Sequence, residues 1–266
     1  MAPPTGQRPP LSVHYLGGPT TVLEIGGLRL LTDPTFDPPG DYPTPAGILT
    51  KTAGPALPRT GIGAIDAVLL SHDQHPDNLD DAGRAHLAEM PLVLSTRSAE
   101  ERLGGSTRHL ANWSHVDLPC PDGTALRVTG VPALHGPPGS EPFVGEVTGF
   151  VLSGERVPTV YVSGDNASLD VVREIKEQSP PIDVAILFVG AVQISAMPGA
   201  YLTLTSAEAA QAARILGARE VVAVHFEQWN HYTEGRDNLR YAFEEAGLGG
   251  RFHLPGMGEH VLLPAG

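Results

Sequence analysis

The stretch SHDQHPDNLD, residues 71–80, places two histidines and three aspartates within ten positions. It follows directly on the apolar run AIDAVLL, residues 64–70. Imidazole and carboxylate together are the donor set of zinc, iron or manganese. The same residues also suit an ordinary helix start. Asp77 or Asn78 can cap it, and Asp80 and Asp81 favour its positive end.

Three further apolar runs end in the same way. His135 follows RVTGVPAL, Asp165 follows TVYVSG, and His225 follows VVAV. A rigid sheet that presents loops at its strand ends is where chemical groups concentrate in α/β proteins. Each of these residues alone has a plain reading. SGDN is good turn chemistry, and a lone loop histidine is usually a surface residue. His86, His109, His115, His253 and His260 are read as such. Four strand ends with His72, His135, Asp165 and His225 together point to a metal site.

The elements that must carry these residues can be read from hydrophobic pattern and breakers. LSVHYLGG (11–18) predicts a strand. TTVLEIGGLRLLTDP (20–34) predicts a hairpin around Gly26 and Gly27. Residues 35–62 are rich in proline and glycine and predict a long loop over a surface or an active site. Strands are expected over 64–70, 91–95, 124–134, 147–154, 159–165, 183–190 and 220–226, the last being the final core strand. Helices are expected over 80–90, 96–104, 168–178, 205–217 and 236–249, with Ser206 as the cap of the fourth. The order is strand-rich first and alternating afterwards, which suits a layered α/β fold. No GxGxxG follows the first strand, so a simple dinucleotide fold is not indicated. Residues 1–10 are read as a flexible leader and 11–266 as one domain.

The chain has 266 residues and a formal net charge of -13, which argues against a nucleic-acid partner. Cys120 is the only cysteine, so no intrachain disulfide can form, in keeping with a cytoplasmic setting. No run is apolar enough for membrane insertion. No GxSxG elbow is present, and Cys120 lies in no nucleophile motif, so a covalent route is not indicated. A small-molecule substrate is expected, and a homo-oligomer is compatible with the chain.

The landmarks VHYLGG, LLTDPTF, LLSHDQHPDNLD, ALHGP, YVSGDN and VVAVHFEQWNHYTEG together resemble the metallo-β-lactamase superfold. Within it they are similar to the lactonase-like hydrolases related to ascorbate-6-phosphate lactonase and N-acyl-phosphatidylethanolamine phospholipase D. The resemblance covers almost the whole chain. It implies a four-layer αββα sandwich with the metal site at one edge. It also implies a metal-activated water acting on a small ester or lactone, with a phosphodiester or amide as further substrates.

The family's motif is His-x-His-x-Asp-His. His72 matches its first histidine. The second falls on Gln74 if spacing is kept, or on His75 if one residue is inserted. Asp77 then matches the aspartate, and Asn78 stands where the last histidine is usual. His135 matches the third ligand of the first position, Asp165 the bridging carboxylate, and His225 the final histidine. The cofactor implied is one or two divalent ions, zinc or manganese. Asp77 would carry a proton and Asp165 would tie the ions together. Because an amide oxygen is a weak neutral ligand, three outcomes stay open: a dinuclear centre, a mononuclear centre, or a fold kept for binding without metal. Around the site, Glu227 is expected to hold His225 in its tautomer. His231 and Trp229 are candidates for substrate contact. Phe188, Met197 and Tyr201 are candidates for an apolar pocket, with Phe36 and Tyr42 as weaker ones.

Overall fold

The computed structural model describes residues 11–44 and 47–264, so the leader expected over 1–10 lies outside the described residues. The first half of the chain forms β1 (Leu11–Gly17), β2 (Thr20–Ile25), β3 (Leu28–Thr32), β4 (Gly40–Thr44), β5 (Gly47–Lys51) and β6 (Ala67–Leu69). It continues with α1 (Asp81–Leu87), β7 (Val93–Ser95), α2 (Arg97–Leu103) and β8 (Thr107–His109). The second half holds β9 (His115–Pro119), β10 (Ala125–Pro132), α3 (Glu141–Val144), β11 (Thr148–Ser153), β12 (Val160–Val162) and α4 (Leu169–Gln178). Then come β13 (Val184–Phe188), α5 (Ser206–Leu216), β14 (Glu220–Val224), α6 (Arg236–Glu245), β15 (Phe252–His253) and β16 (His260–Leu263).

Two seven-stranded sheets result, in the orders β16-β1-β2-β3-β6-β7-β8 and β15-β14-β13-β12-β11-β10-β9. Each is antiparallel on one side and parallel on the other. The predicted hairpin forms: Leu23 pairs with Leu30 across the turn, where Gly26 and Gly27 take φ of 61° and 81°. Such values match a two-residue hairpin turn and favour glycine.

The apolar pattern explains the layers. Every residue of β13 is buried, because both faces of its sheet are covered. Val184, Ile186 and Phe188 point into the core between the sheets with Val13, Leu30, Leu69 and Val128. Ala185 and Leu187 point outward onto Val172, Ala209, Ala213 and Phe243, which come from α4, α5 and α6. On the far side, Leu31, Val68 and Val93 pack with Leu87 of α1. The expected four-layer αββα sandwich is therefore the observed one.

Several boundaries differ from expectation. The segment 35–62 is not loop throughout: β4 and β5 form a hairpin within it. Its strands pair with each other and, through Lys51, with Trp229, and half of their residues are exposed, so they carry no apolar alternation to read. The run at 220–226 is not the last core strand. β15 joins β14, and β16 returns to β1 of the other sheet, with Leu11 opposite Leu263. The cap of α5 is Thr205, not Ser206. Its hydroxyl accepts from the Glu208 amide, and the Glu208 side chain reaches back in a capping box.

Candidate metal centre

The strand ends meet along one edge of the sandwich. His72 and Asp77 lie after β6, His135 after β10, Asp165 after β12 and His225 after β14, and all five are buried. Close backbone approach makes this convergence possible. Gly164 has a φ of 55°, and a Cβ there would lie 2.6 Å from the Thr148 carbonyl oxygen. His225 itself takes a left-handed φ of 63°. A non-glycine residue in that region is strained and typically marks a functional position.

One donor group is His72, His75 and His135. His72 Nε2 lies 2.9 Å from His75 Nδ1, and His135 Nε2 lies 3.2 Å from the same atom. The outer nitrogens of two of these rings are committed elsewhere. His135 Nδ1 donates to the Leu202 carbonyl at 2.7 Å. Ser71 Oγ donates to Asp33 Oδ2 at 2.5 Å and accepts from His72 Nδ1 at 2.9 Å. Each Nε2 therefore turns a lone pair inward. Burial lowers the pKa of all three imidazoles, with mutual repulsion adding to it for His72 and His135, and His135 reaches about 3. The Nε2 lone pairs of His72 and His135 converge on His75 Nδ1, which can donate a proton to at most one of them, whereas a cation among the three nitrogens would satisfy them all. Tetrahedral zinc with nitrogen ligands would set nitrogen pairs about 3.3 Å apart, close to the observed spacing.

The second donor group is Asp77, Asp165 and His225. His225 Nδ1 faces the Val189 carbonyl at 3.3 Å, so its Nε2 also points inward. That atom has no hydrogen-bond partner, although it lies 3.3 Å from Asp77 Oδ2 and 3.6 Å from Asp165 Oδ1. Burial opposes the charge of His225, yet Asp165 and Asp77 outweigh it and raise its pKa to about 9. Burial pushes Asp77 up, but His231 and His225 more than reverse this and hold it well below the usual range. Asp165 is raised by burial. The orphaned inward nitrogen of His225 and the neighbouring buried carboxylates fit a divalent cation, with imidazole and carboxylate as its donors.

The sequence left two positions unresolved, and their placement is distinct. His75, not Gln74, faces His72 and His135. The Gln74 amide instead packs on Gly145, where a Cβ would lie 2.2 Å from Nε2. Asn78 does not simply stand in for an imidazole. Its amide nitrogen donates to Asp33 Oδ2 at 2.9 Å and Asp165 Oδ1 at 3.1 Å, and its oxygen has no partner. His231 approaches from another loop and places Nε2 2.8 Å from Asp77 Oδ2.

Asp33 was missed in the sequence. It follows β3, is fully buried with a φ of 25°, and accepts from the Ser71 amide as well as its hydroxyl. Burial raises its pKa to about 7. The same strand-end rule, applied to the run LRLLTD, would have found it.

Other expectations need correction. Glu227 does not hold His225: it pairs with Arg236 at 3.3 Å, and the Val189 carbonyl takes the place assigned to it. Phe188 is a core residue stacked on the His225 ring, not a pocket wall. Tyr201 is 41% exposed, and Met197 packs behind Val144, Val192 and Leu202. Phe36 is buried against His86, which is therefore not a surface histidine. Trp229 is buried beside Tyr42 and over the Lys51 ammonium, where it fixes the β4–β5 hairpin. Lys51 meets Asp80 at 2.8 Å with both side chains fully buried.

A cavity of about 220 Å³ opens onto His75, Asp77, His135 and His231. Its remaining wall is largely apolar, with Leu49, Phe143, Val144, Val192, Ile194 and Leu202. No helix among the described residues is long and apolar enough to cross a membrane.

Comparison with known proteins agrees with this geometry. The Beta-lactamase superfamily domain matches residues 28–226. A metal-dependent hydrolase of Rubrobacter xylanophilus is 31% identical over 94% of this chain and 95% of its own length. The N-acyl-phosphatidylethanolamine-hydrolyzing phospholipase D 1 of Caenorhabditis elegans is 23% identical over 86% of this chain and 69% of its own. The crystal structure of an isothiocyanate hydrolase from Delia radicum gut bacteria superposes with a TM-score of 0.79 at 21% identity, covering 96% of this chain and all of that one. Two donor clusters on this fold support metal-dependent hydrolytic catalysis in general. The chain belongs to the beta-lactamase superfamily.

Proposed function

We propose that this protein hydrolyses a small ester or lactone at a dinuclear centre of zinc or manganese. His72, His75 and His135 would hold one ion, and Asp77 and His225 the other, with Asp165 between them. The observation that carries this reading is the pair of adjacent donor groups in which His72, His135 and His225 all turn Nε2 inward. The chemistry supplied by divalent ions at such a donor set is Lewis-acid activation of water and of a carbonyl or phosphoryl oxygen.

The chain's own groups account for the rest. Ser71, Leu202 and Val189 fix the histidine tautomers through Nδ1. Asp77 Oδ2 receives the proton of the attacking water and delivers it to the leaving oxygen, and His231 Nε2 orients that carboxylate. The cavity wall takes the organic part of the substrate and excludes bulk water. The similarity to the worm phospholipase and the motif pattern support placement in the lactonase-like branch. We assign residues 11–266 to one catalytic domain in a cytoplasmic setting.

Elemental analysis of the purified protein, paired with a panel of lactones, esters, amides and phosphodiesters, tests the reading. About two ions per chain and preferential turnover of esters or lactones are expected. His135→Ala and Asp165→Ala should each lose metal and most activity. No metal after reconstitution with zinc or manganese would overturn the hydrolase reading and leave a binding protein.

A further inference from the structure

The cavity wall bears on what the substrate carries besides its scissile bond. No lysine or arginine lines it. Recognition of a carboxylate or phosphate ordinarily relies on such side chains, above all on the bidentate guanidinium. The face opposite the donor clusters is instead Val144, Val192 and Leu202, which pack as a buried apolar cluster of their own, with Ile194 partly buried against them. That cluster is separate from the cores of the sandwich.

The apolar surface does not stop at the cavity. Phe143, on α3, lines the cavity yet is 80% exposed. Phe143 thus carries the apolar wall of the cavity out to the surface. The enclosed volume, about 220 Å³, also falls below the about 300–1,000 Å³ of pockets that bury a drug-sized ligand.

We infer that the site takes a neutral substrate with an unbranched apolar acyl or alkyl chain, whose first carbons fill the cavity and whose remainder lies across Phe143. This deepens the proposed hydrolase reading and rests on it for the identity of the scissile end. The apolar wall itself is independent of any metal.

The test uses non-hydrolysable neutral probes, the 2-alkanones from 2-pentanone to 2-decanone, with calorimetric binding to the metal-reconstituted protein. Affinity should rise by about fourfold per methylene, as expected for transfer of a methylene out of water. The same ketones ended by a sulfonate should bind at least tenfold more weakly. Phe143→Ala, at an exposed position, should flatten the increments for the longest ketones and leave the shortest unchanged. Val192→Phe should block the series altogether, with circular dichroism confirming the fold. A flat chain-length series, or sulfonates bound as tightly as the neutral ketones, would overturn the inference even if the protein holds metal and hydrolyses esters. A rising series in protein that holds no metal would keep the inference while the hydrolase reading fails.

Discussion

Lys51→Met removes one partner of a fully buried ion pair and nearly preserves the length of the side chain. Lys51 Nζ lies 2.8 Å from Asp80 Oδ2, and neither side chain reaches solvent. Breaking such a pair from one side costs about 3–5 kcal/mol, because the remaining charge stays buried. Here the carboxylate keeps three amide donors: Phe36 at 2.9 Å, Asp37 at 2.7 Å and Gly83 at 2.8 Å. They hold the loss near the lower end of that range. The ammonium also lies 5.7 Å from the Trp229 ring, a contact that contributes roughly 0.5–2 kcal/mol. A net loss of about 3 kcal/mol is expected. Urea unfolding should show a lower midpoint at an unchanged slope, since the surface exposed on unfolding is the same. Asp80→Asn in the Lys51→Met background should cost far less than in the parent, with a coupling of about 1.5 kcal/mol or more. A loss below about 1 kcal/mol for Lys51→Met, or additive single effects, would refute the assignment of this pair as the anchor of the hairpin.

Three other outcomes are expected. His75→Ala should reduce bound metal much more than Gln74→Ala, read by elemental analysis; the opposite ranking would restore the ungapped spacing. Asp33→Asn and Ser71→Ala loosen the hydrogen-bond chain behind His72, so each should weaken metal affinity by about 10–100-fold in a competition titration with a chelating dye. Affinity equal to the parent in both would remove Asp33 from the site. Gly164→Ala combines a positive φ with a Cβ 2.6 Å from a carbonyl oxygen, so it should lower stability by about 2 kcal/mol or more in the same urea assay.

Much of this molecule is legible in its sequence, for physical reasons. Buried runs such as DVAILFVG leave continuous apolar stretches, so the strands that carry His135, Asp165 and His225 can be found. Polar residues just past such runs then mark the site. What escapes is set by partners distant in the chain. Whether Gln74 or His75 faces His72 depends on the backbone between Ser71 and Asn78, which spacing alone does not fix. Asp33 and His231 contribute only through contacts 38 and 154 positions away. The hairpin at 40–51 has no apolar face of its own and is held by Trp229 and Asp80. Glu227 was misplaced because sequence proximity to His225 says nothing about side-chain direction after a left-handed residue.

The pairing of Leu11 with Leu263 has a consequence for the order of assembly. Among the described strands, the first to be made on the ribosome sits beside the last. At about 5–20 residues per second, β1 therefore waits roughly 10–50 s with one edge uncovered before its neighbour exists. During that interval β1 presents an unpaired apolar edge to other nascent chains. Yield in cells should thus respond to translation speed and to holding chaperones more strongly than equilibrium stability alone would indicate.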